Sequence, residues 1–387
     1  MSYLRHISTR RLLALSATVV AALASAAAIA LAAGGSGPTP PAKPLAQAVH
    51  DGLAAPAVDG VTARITFTNH LIDAASLQGG NPILTGANGR LWASGDKLRL
   101  ELQASGEGAG DAQVLVDGDK LTVIETGSNT VYRATLPPDK QAASEPVPSL
   151  ARVQDALTHL AEQATLSGAQ PSNVAGRPAY TVRISPRHDG GLLGAAEVAW
   201  DAEHGVPLRA AVYASGTADP VLELKATDIA FGKVAPADLT IPEPAGAHVV
   251  DLSPSSSGGA DQHGEVTGLS AVQAKVGFPI VAPDALVGLP RKDVKLVELD
   301  GTAGALVTYG QGLGGIAVLE RPSQAQPKTK PQDNGGLSLP KISINGASGQ
   351  ELDTALGTVV QFERGGVAYT VAGSVPPTAA EAAARGL

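Results

Sequence analysis

The sequence predicts a mainly β chain of the α+β class, dominated by a single wide antiparallel sheet. Three observations predict it. Apolar residues recur at every second position in one segment after another. Neighbouring segments are joined by short turns such as Asp117-Gly118 and Gly127-Ser128-Asn129, and turns of that length cannot connect parallel strands. Helical spacing shows in only a few short stretches. Composition agrees with this: 45 glycines and 28 prolines in 387 residues supply many turns, and 44% hydrophobic residues supply a core.

Composition also excludes chemistry. No cysteine is present, which removes disulfides, thiolate catalysis, Cys-ligated zinc, iron–sulfur clusters and lipid attachment through an N-terminal Cys. A net charge of −8 with 3% aromatics argues against a nucleic-acid partner.

Residues 1–33 read as an export segment. Arg5, Arg10 and Arg11 form a basic start, and Leu12 to Ala33 run uncharged. Ala30-Leu31-Ala32 offers a cleavage site, yet the apolar run is also long enough to span a bilayer. Signal peptide and uncleaved transmembrane anchor therefore both stand, and both place the rest of the chain outside the cytoplasm. Thr9-Arg10-Arg11-Leu12-Leu13 resembles a twin-arginine signal. Losing the segment's three arginines takes the charge from −8 to −11, so anionic membrane surfaces repel the mature chain.

Residues 34–44, rich in Gly and Pro, read as a linker. Pro44 opens a short helix with Leu45, Val49 and Leu53 on one face. Val61 to Thr68 alternate strictly and form a half-exposed strand. Residues 70–88 fit neither period and read as a loop or flap. Lys97–Leu102, Gln113–Val116, Lys120–Ile124 and Thr130–Ala134 follow as a meander. A helix with Leu150, Val153, Leu157 and Leu160 on one stripe is N-capped by Ser149 and stopped by Gly168. Strand period returns at Tyr180–Ile184, Ala196–Trp200, Leu208–Ala214 and Val221–Ile229, giving nine or ten strands in a domain spanning 45–250.

A linker at 251–265 leads to a small α+β domain at 266–375. Leu269, Val272 and Val276 mark its helix, and Val294–Leu299, Ala305–Tyr309, Ile316–Glu320, Val359–Phe362 and Val367–Val371 its strands. Residues 322–340 read as a mobile loop and 376–387 as an expendable tail.

No motif assembles a catalytic or metal site. Gly310 to Gly315 spell G-x-G-x-x-G, but Ile316 to Glu320 continue as a strand where a dinucleotide fingerprint needs a helix. The His188-Asp189 and Asp201…His204 pairs sit among turn residues with no nucleophile beside them. Glu197, Asp201 and Glu203 could offer carboxylates for a hydrolase, but exposed strand positions explain them equally well. Trp92 and Trp200 read as core or cavity-wall residues. No cofactor is expected.

What remains is the sheet's inward face, read by alternation: Ile65, Phe67, Leu98, Leu100, Val114, Val116, Val123, Val182 and Leu208. So wide a sheet must coil, and two short Ala-rich helices cover it thinly. Either a complete core or a cavity for an apolar guest follows.

The order of these elements, with particular motifs, resembles the LolA/LolB/RseB superfamily of bacterial envelope proteins, its actinobacterial LolA-like members above all. Asp201, His204, Gly205, Pro207, Leu208 and Arg209 are similar to that family's D-x-x-T/H-G-x-P-L-R hairpin. Asp228 to Gly232 and Ile241 to Ala247 are similar to its closing strand and exit, and Asp117-Gly118 and Val131-Tyr132-Arg133 to its earlier hairpins. The resemblance covers roughly 45–250. It implies an open half-barrel lidded by helices, a filled hydrophobic cavity and a lipid or acylated lipoprotein as partner; the nine residues above come from alternation alone, and no single functional residue is carried over. The extra C-terminal domain implies an alternative, an RseB-like regulator binding a membrane anti-sigma factor. A ligand-free structural envelope protein is the third possibility. The lid-contacting arginine of the carriers has no counterpart here, since alternation turns Arg64 away from Ile65 and Phe67.

Overall fold

The computed structural model describes residues 37–72, 82–104, 110–136, 147–188, 190–251, 266–299, 302–323 and 339–387. The export segment, residues 73–81 of the 70–88 stretch, Asp189, the 252–265 linker and most of the 322–340 loop lie outside the described residues. Among those described, no helix is long and apolar enough to cross a membrane. They form two compact units.

The first unit opens with α1 (Leu45–Ala54) and β1 (Val61–Asn69). One turn of helix, α2 (Pro82–Thr85), leads into the meander β2 (Ala87–Ser94), β3 (Lys97–Ala104), β4 (Asp111–Asp117), β5 (Lys120–Glu125) and β6 (Thr130–Thr135). Helix α3 (Leu150–Gln163) follows, then β7 (Ala164–Leu166), β8 (Gln170–Val174), β9 (Arg177–Pro186), β10 (Leu193–Asp201), β11 (Pro207–Ala214), β12 (Leu222–Phe231), a 3-10 turn at Pro236–Leu239 and β13 (His248–Asp251). The thirteen strands make one open sheet in the order β13-β6-β5-β4-β3-β2-β1-β12-β11-β10-β9-β7, with β8 on β9. This is the mainly β, curled half-barrel architecture expected.

Several elements differ from expectation. Residues 87 and 88 start a strand rather than end a flap. Gly89 hides that strand in the sequence: a Cβ there would meet the Glu101 carbonyl at 2.1 Å, so β2 and β3 approach too closely for any side chain. Helix α3 ends at Gln163, five residues before Gly168, because Ala164 is already extended and enters β7. Ser149 caps it as expected, accepting from the Arg152 N–H at 3.4 Å. The 34–44 linker is docked from Pro38 onward: Asn173 donates to the Pro38 carbonyl at 2.8 Å, the Tyr180 hydroxyl to that of Pro41 at 2.7 Å, and Pro40 is buried. The sheet is not purely antiparallel, since β13 runs parallel to β6. A parallel partner requires a long return connection, and here the whole second half of the unit intervenes.

The second unit carries α4 (Leu269–Gln273), β14 (Ala285–Leu286), β15 (Leu289–Leu299), β16 (Thr302–Tyr309), β17 (Ile316–Pro322), β18 (Lys341–Ile344), β19 (Ala347–Thr354), β20 (Gly357–Arg364), β21 (Val367–Gly373) and α5 (Pro377–Arg385). Two meanders join at β17–β21 to make an eight-stranded sheet, β14-β15-β16-β17-β21-β20-β19-β18. The glycine-rich 310–315 segment is the β16–β17 hairpin turn, with Gly310 and Gly312 at φ 73° and 61°, as the sequence indicated.

The supposed tail is α5. Ala380, Ala383 and Ala384 are fully buried in the core of the second unit, and Asn345 donates to the Arg385 carbonyl at 2.8 Å. Alanine-rich composition read as expendable because alanine contributes little hydrophobicity, yet only so small a side chain lets a helix sit this close to a sheet. Truncation after Pro376 should therefore cost the second unit roughly 2–4 kcal/mol, the range for lost core side chains, read as a lowered second transition in calorimetry. An unchanged transition would restore the tail reading.

Candidate functional site

Register determines which inner-face side chains meet. In the β2–β6 meander Leu91 lies opposite Leu100, Leu100 opposite Val114, Val114 opposite Val123, and Val123 opposite Tyr132. One rung of five side chains thus crosses five strands, and every member is only half-buried. The neighbouring rungs differ. On one side Leu98 and Val116 are 6% and 4% exposed, and on the other Leu102 and Ala112 are 5% and 0%.

The flanks are covered by identifiable groups. Val58, Leu136, Val206 and Phe231 pack with the Leu98–Val116 side. Ile83 of α2 and Phe67 of β1 pack with the Leu102–Ala112 side. Leu91 and Leu100 touch both clusters and are completed by neither. The result is a half-buried apolar strip, one side chain wide, running across the strands. At the β1 end it meets Ala63, which is buried, and then Ile229 of β12. At the β6 end stands Tyr132, whose phenol is pushed up by burial and further by the Glu125 carboxylate. Glu125 and Thr130 form the adjacent rung on the same face. The row contains no other polar side chain.

Of the nine expected cavity residues, Ile65, Phe67, Leu98, Leu100, Val114, Val116 and Val123 come together on this face. Val182 and Leu208 lie elsewhere. Val182 is buried with Ala48 of α1, Tyr180 and Trp200, and Leu208 with Val174, Ala179 and Ala199. Alternation identifies a face but not what covers it. Leu91, Leu121, Tyr132, Leu224 and Ile229 were missed. Leu91 was legible in the alternation of Ala87, Leu91 and Ala93 once Gly89 is allowed for. Trp200 is core, whereas Trp92 lies on the opposite face of β2, under the Arg99 guanidinium at 5.3 Å. Arg64 is exposed and faces away from Ile65, as read.

The carboxylates expected at exposed strand positions are partly buried and paired. Glu197 is 5% exposed and accepts from Arg183 at 2.8 Å, Arg209 at 2.5 Å and the Tyr213 hydroxyl at 2.8 Å. Arg209 also donates to Glu223 at 2.5 Å. Burial alone would raise the Glu197 carboxyl. Its hydrogen bonds from Arg209, Arg183 and Tyr213 outweigh burial and hold it below the ordinary carboxylate range.

Asp201 is fully buried at the β10–β11 turn. One oxygen accepts the backbone N–H groups of Glu203 and His204, at 2.9 and 2.8 Å, and the other accepts from Arg177 at 2.7 Å. Burial again works against ionisation, and these bonds win. Asp201, Glu203 and His204 bring their ligand atoms within 4.8 Å of one another, but the Arg177 guanidinium already supplies the cation. The D-x-x-H-G pattern is therefore a turn cap. Its Gly205, at φ +65°, could not carry a Cβ, which would meet the Gly52 carbonyl of α1 at 2.0 Å.

No protein-family model and no curated protein matches the sequence. Among solved structures the chain is similar to the Pseudomonas aeruginosa MucA/MucB complex, at 17% identity over 88% of this chain and 94% of that one, TM-score 0.39. It is also similar to a putative outer membrane lipoprotein-sorting protein domain from Vibrio parahaemolyticus (11% identity, 48% and 91% covered, TM-score 0.22) and to a LolA superfamily protein from Nitrosomonas europaea (8%, 52% and 99%, 0.22). The likeness is one of general fold alone. At these identities and TM-scores it assigns no ligand and no partner.

The polar cluster yields a test. Glu197→Ala leaves Arg183 and Arg209 without their shared anion and should cost about 3–5 kcal/mol, as breaking a buried pair does, measured by denaturant unfolding of the first unit. Because the folded-state carboxyl is lowered, its stabilisation exists above the unfolded value and is lost as pH falls through the folded one. The Ala variant should lose that acid sensitivity. A cost below about 1 kcal/mol, the scale of an exposed pair, would show the cluster to be solvated.

Proposed function

We propose that the first unit binds one linear hydrocarbon chain, that of a lipid or an acylated lipoprotein, and acts as a non-catalytic carrier outside the cytoplasm. The observation that carries this reading is the half-covered rung Leu91–Leu100–Val114–Val123–Tyr132 between two covered ones. Five strands about 4.8 Å apart give a strip roughly 20 Å long. A narrow, unbranched apolar strip suits an extended acyl chain better than a compact ring system. Covering it is favourable by about 0.8 kcal/mol for each methylene buried on either side. The two ends differ. A chain would run with its methyl end toward Ala63 and Ile229 and its head beside the Tyr132 hydroxyl. Glu125 at that end disfavours a carboxylate or phosphate and leaves a neutral, hydroxyl-bearing head as the better fit. The uncharged Leu12–Ala33 segment supports the exported location.

The test is native mass spectrometry and solvent extraction of the full exported chain. The expected result is a co-purifying acyl lipid, with occupancy reduced at least tenfold in Val114→Trp, which fills the strip without burying a charge. Arg90→Glu, exposed on the other face of β2, should keep the lipid. Circular dichroism confirms that both fold. A protein that extracts dry, or a Val114→Trp variant that remains loaded, would overturn the reading.

A further inference from the structure

The second unit holds a carboxyl group that no fold requirement explains. Glu320 of β17 is fully buried. Alternation puts it on the core face with Val318 and Ile316, opposite Ala305 on one side and Tyr369 on the other. Tyr369 in turn stacks on Phe362 at 4.9 Å between ring centres. One Glu320 oxygen accepts the Val281 N–H at 3.0 Å, and the other has no hydrogen-bond partner. The Tyr309 hydroxyl of β16 is likewise buried without one.

The groups packed around Glu320 bring no cation to it. Strand β16 contributes the Tyr309 phenol, which burial pushes up to about 12, with Arg291 opposing and Glu320 adding to the rise. Strand β21 contributes Tyr369, over which Arg364 of β20 lies 5.7 Å from the ring centre. Arg291 of β15 is committed to Asp284 at 2.8 Å and to the Ala282 carbonyl. Helices α4 and α5 bring Val272, Ala380, Ala383 and Ala384 to this core. Among the described residues the only bond recorded to the Glu320 carboxyl is thus the Val281 N–H.

That bond closes a particular segment. Phe278–Asp284 joins α4 to β14 and covers the core with Phe278, Ile280, Val281 and Ala282. It is held by few bonds: Gln273 donates to the Phe278 carbonyl at 2.7 Å and accepts from Ile280 at 2.9 Å, Arg291 holds Ala282 and Asp284, and Glu320 holds Val281. Strands β16, β17 and β21 are instead laddered continuously to their neighbours. If one wall of this site yields to water, it is the segment.

We propose that Glu320 is a pH-operated latch on the Phe278–Asp284 segment, holding it closed while protonated and releasing it when ionised. A protonated carboxyl sits in an apolar core at modest cost and still offers its carbonyl oxygen to Val281. An ionised one, with a single hydrogen bond and no counter-charge, must gain water. Burial pushes this carboxyl up to about 7, only partly opposed by the Val281 bond. In the opened segment the hydrated carboxyl returns toward its ordinary value of 4.5. The closed form therefore binds the extra proton between those values. Closure is strongest below about pH 4.5, weakens as pH rises, and has lost its full increment above pH 7.

Hydrogen exchange of the full chain, read at the Val281 amide and its neighbours, tests this. Comparison with Glu320→Gln at each pH cancels the intrinsic pH dependence of exchange. Opening of the wild-type segment should increase on the order of a hundredfold between pH 5 and 8, while Glu320→Gln, which keeps an acceptor and cannot ionise, should stay level. Equal pH dependence in both proteins would overturn the latch. Should Glu320→Gln fail to fold, carboxyl-carbon resonance of the wild type decides. A midpoint near 7 shared with the segment's amide shifts supports the proposal, and a midpoint near 4.5 or unlinked amides overturn it.

Discussion

The first unit rests on a mismatch between the width of its sheet and the amount of chain available to cover it. An antiparallel sheet with one apolar face must bury that face, and each strand added to a meander adds another row to cover. Here the described covering elements are α1, α2, α3 and a few loop residues. Helix α1 covers the β9–β10 region, where Tyr180, Val182 and Trp200 pack with Ala48. Helix α2 reaches β1, β3 and β4. Between these, the middle of the β2–β6 face is left half-covered. The shape is a direct result of register, because cross-strand pairing brings one half-buried residue per strand onto the same line.

The opposite face of β9–β12 solves a different problem. Glu197, Arg183, Arg209, Glu223 and Tyr213 form one bonded cluster there. Buried ion pairs add little net stability compared with apolar replacements. Their geometric demand is strict, however, since a slip of one residue in any of these strands would turn a charged group onto the apolar face. The cluster and the Asp201 cap therefore hold the strand register from the far side. That leaves the inner face free to remain incompletely packed without the sheet sliding.

Most of the fold was legible because period two and turn chemistry are local signals. Strands such as Val61–Asn69 and Lys120–Glu125 fall within a residue or two of their sequence readings. The failures have physical causes. Strand β2 was masked by Gly89, which is there for backbone proximity rather than flexibility. Strand β13 is short and exposed, and its pairing with β6 is a long-range event that no window reveals. Helix α5 was discounted because alanine scores as neither strongly apolar nor strongly structured. For the strip, alternation found the face and seven of nine residues on it. It could not say that Val182 and Leu208 are sealed elsewhere, because coverage is a tertiary quantity. The burial of Glu197 was missed for the same reason, whereas Asp201 stabilises its turn as the pattern suggested.

Desolvation runs through both units with opposite consequences. In the first, the apolar side chains of the Leu91–Tyr132 rung stay half-exposed to water. In the second, a buried carboxyl has lost water that a single Val281 N–H only partly replaces. Neither would persist in a fold selected for stability alone. Replacing Glu320 with a leucine-sized apolar group would remove the desolvation cost. A fold that keeps both departures gives up stability at two places where side-chain hydration does not match the surroundings.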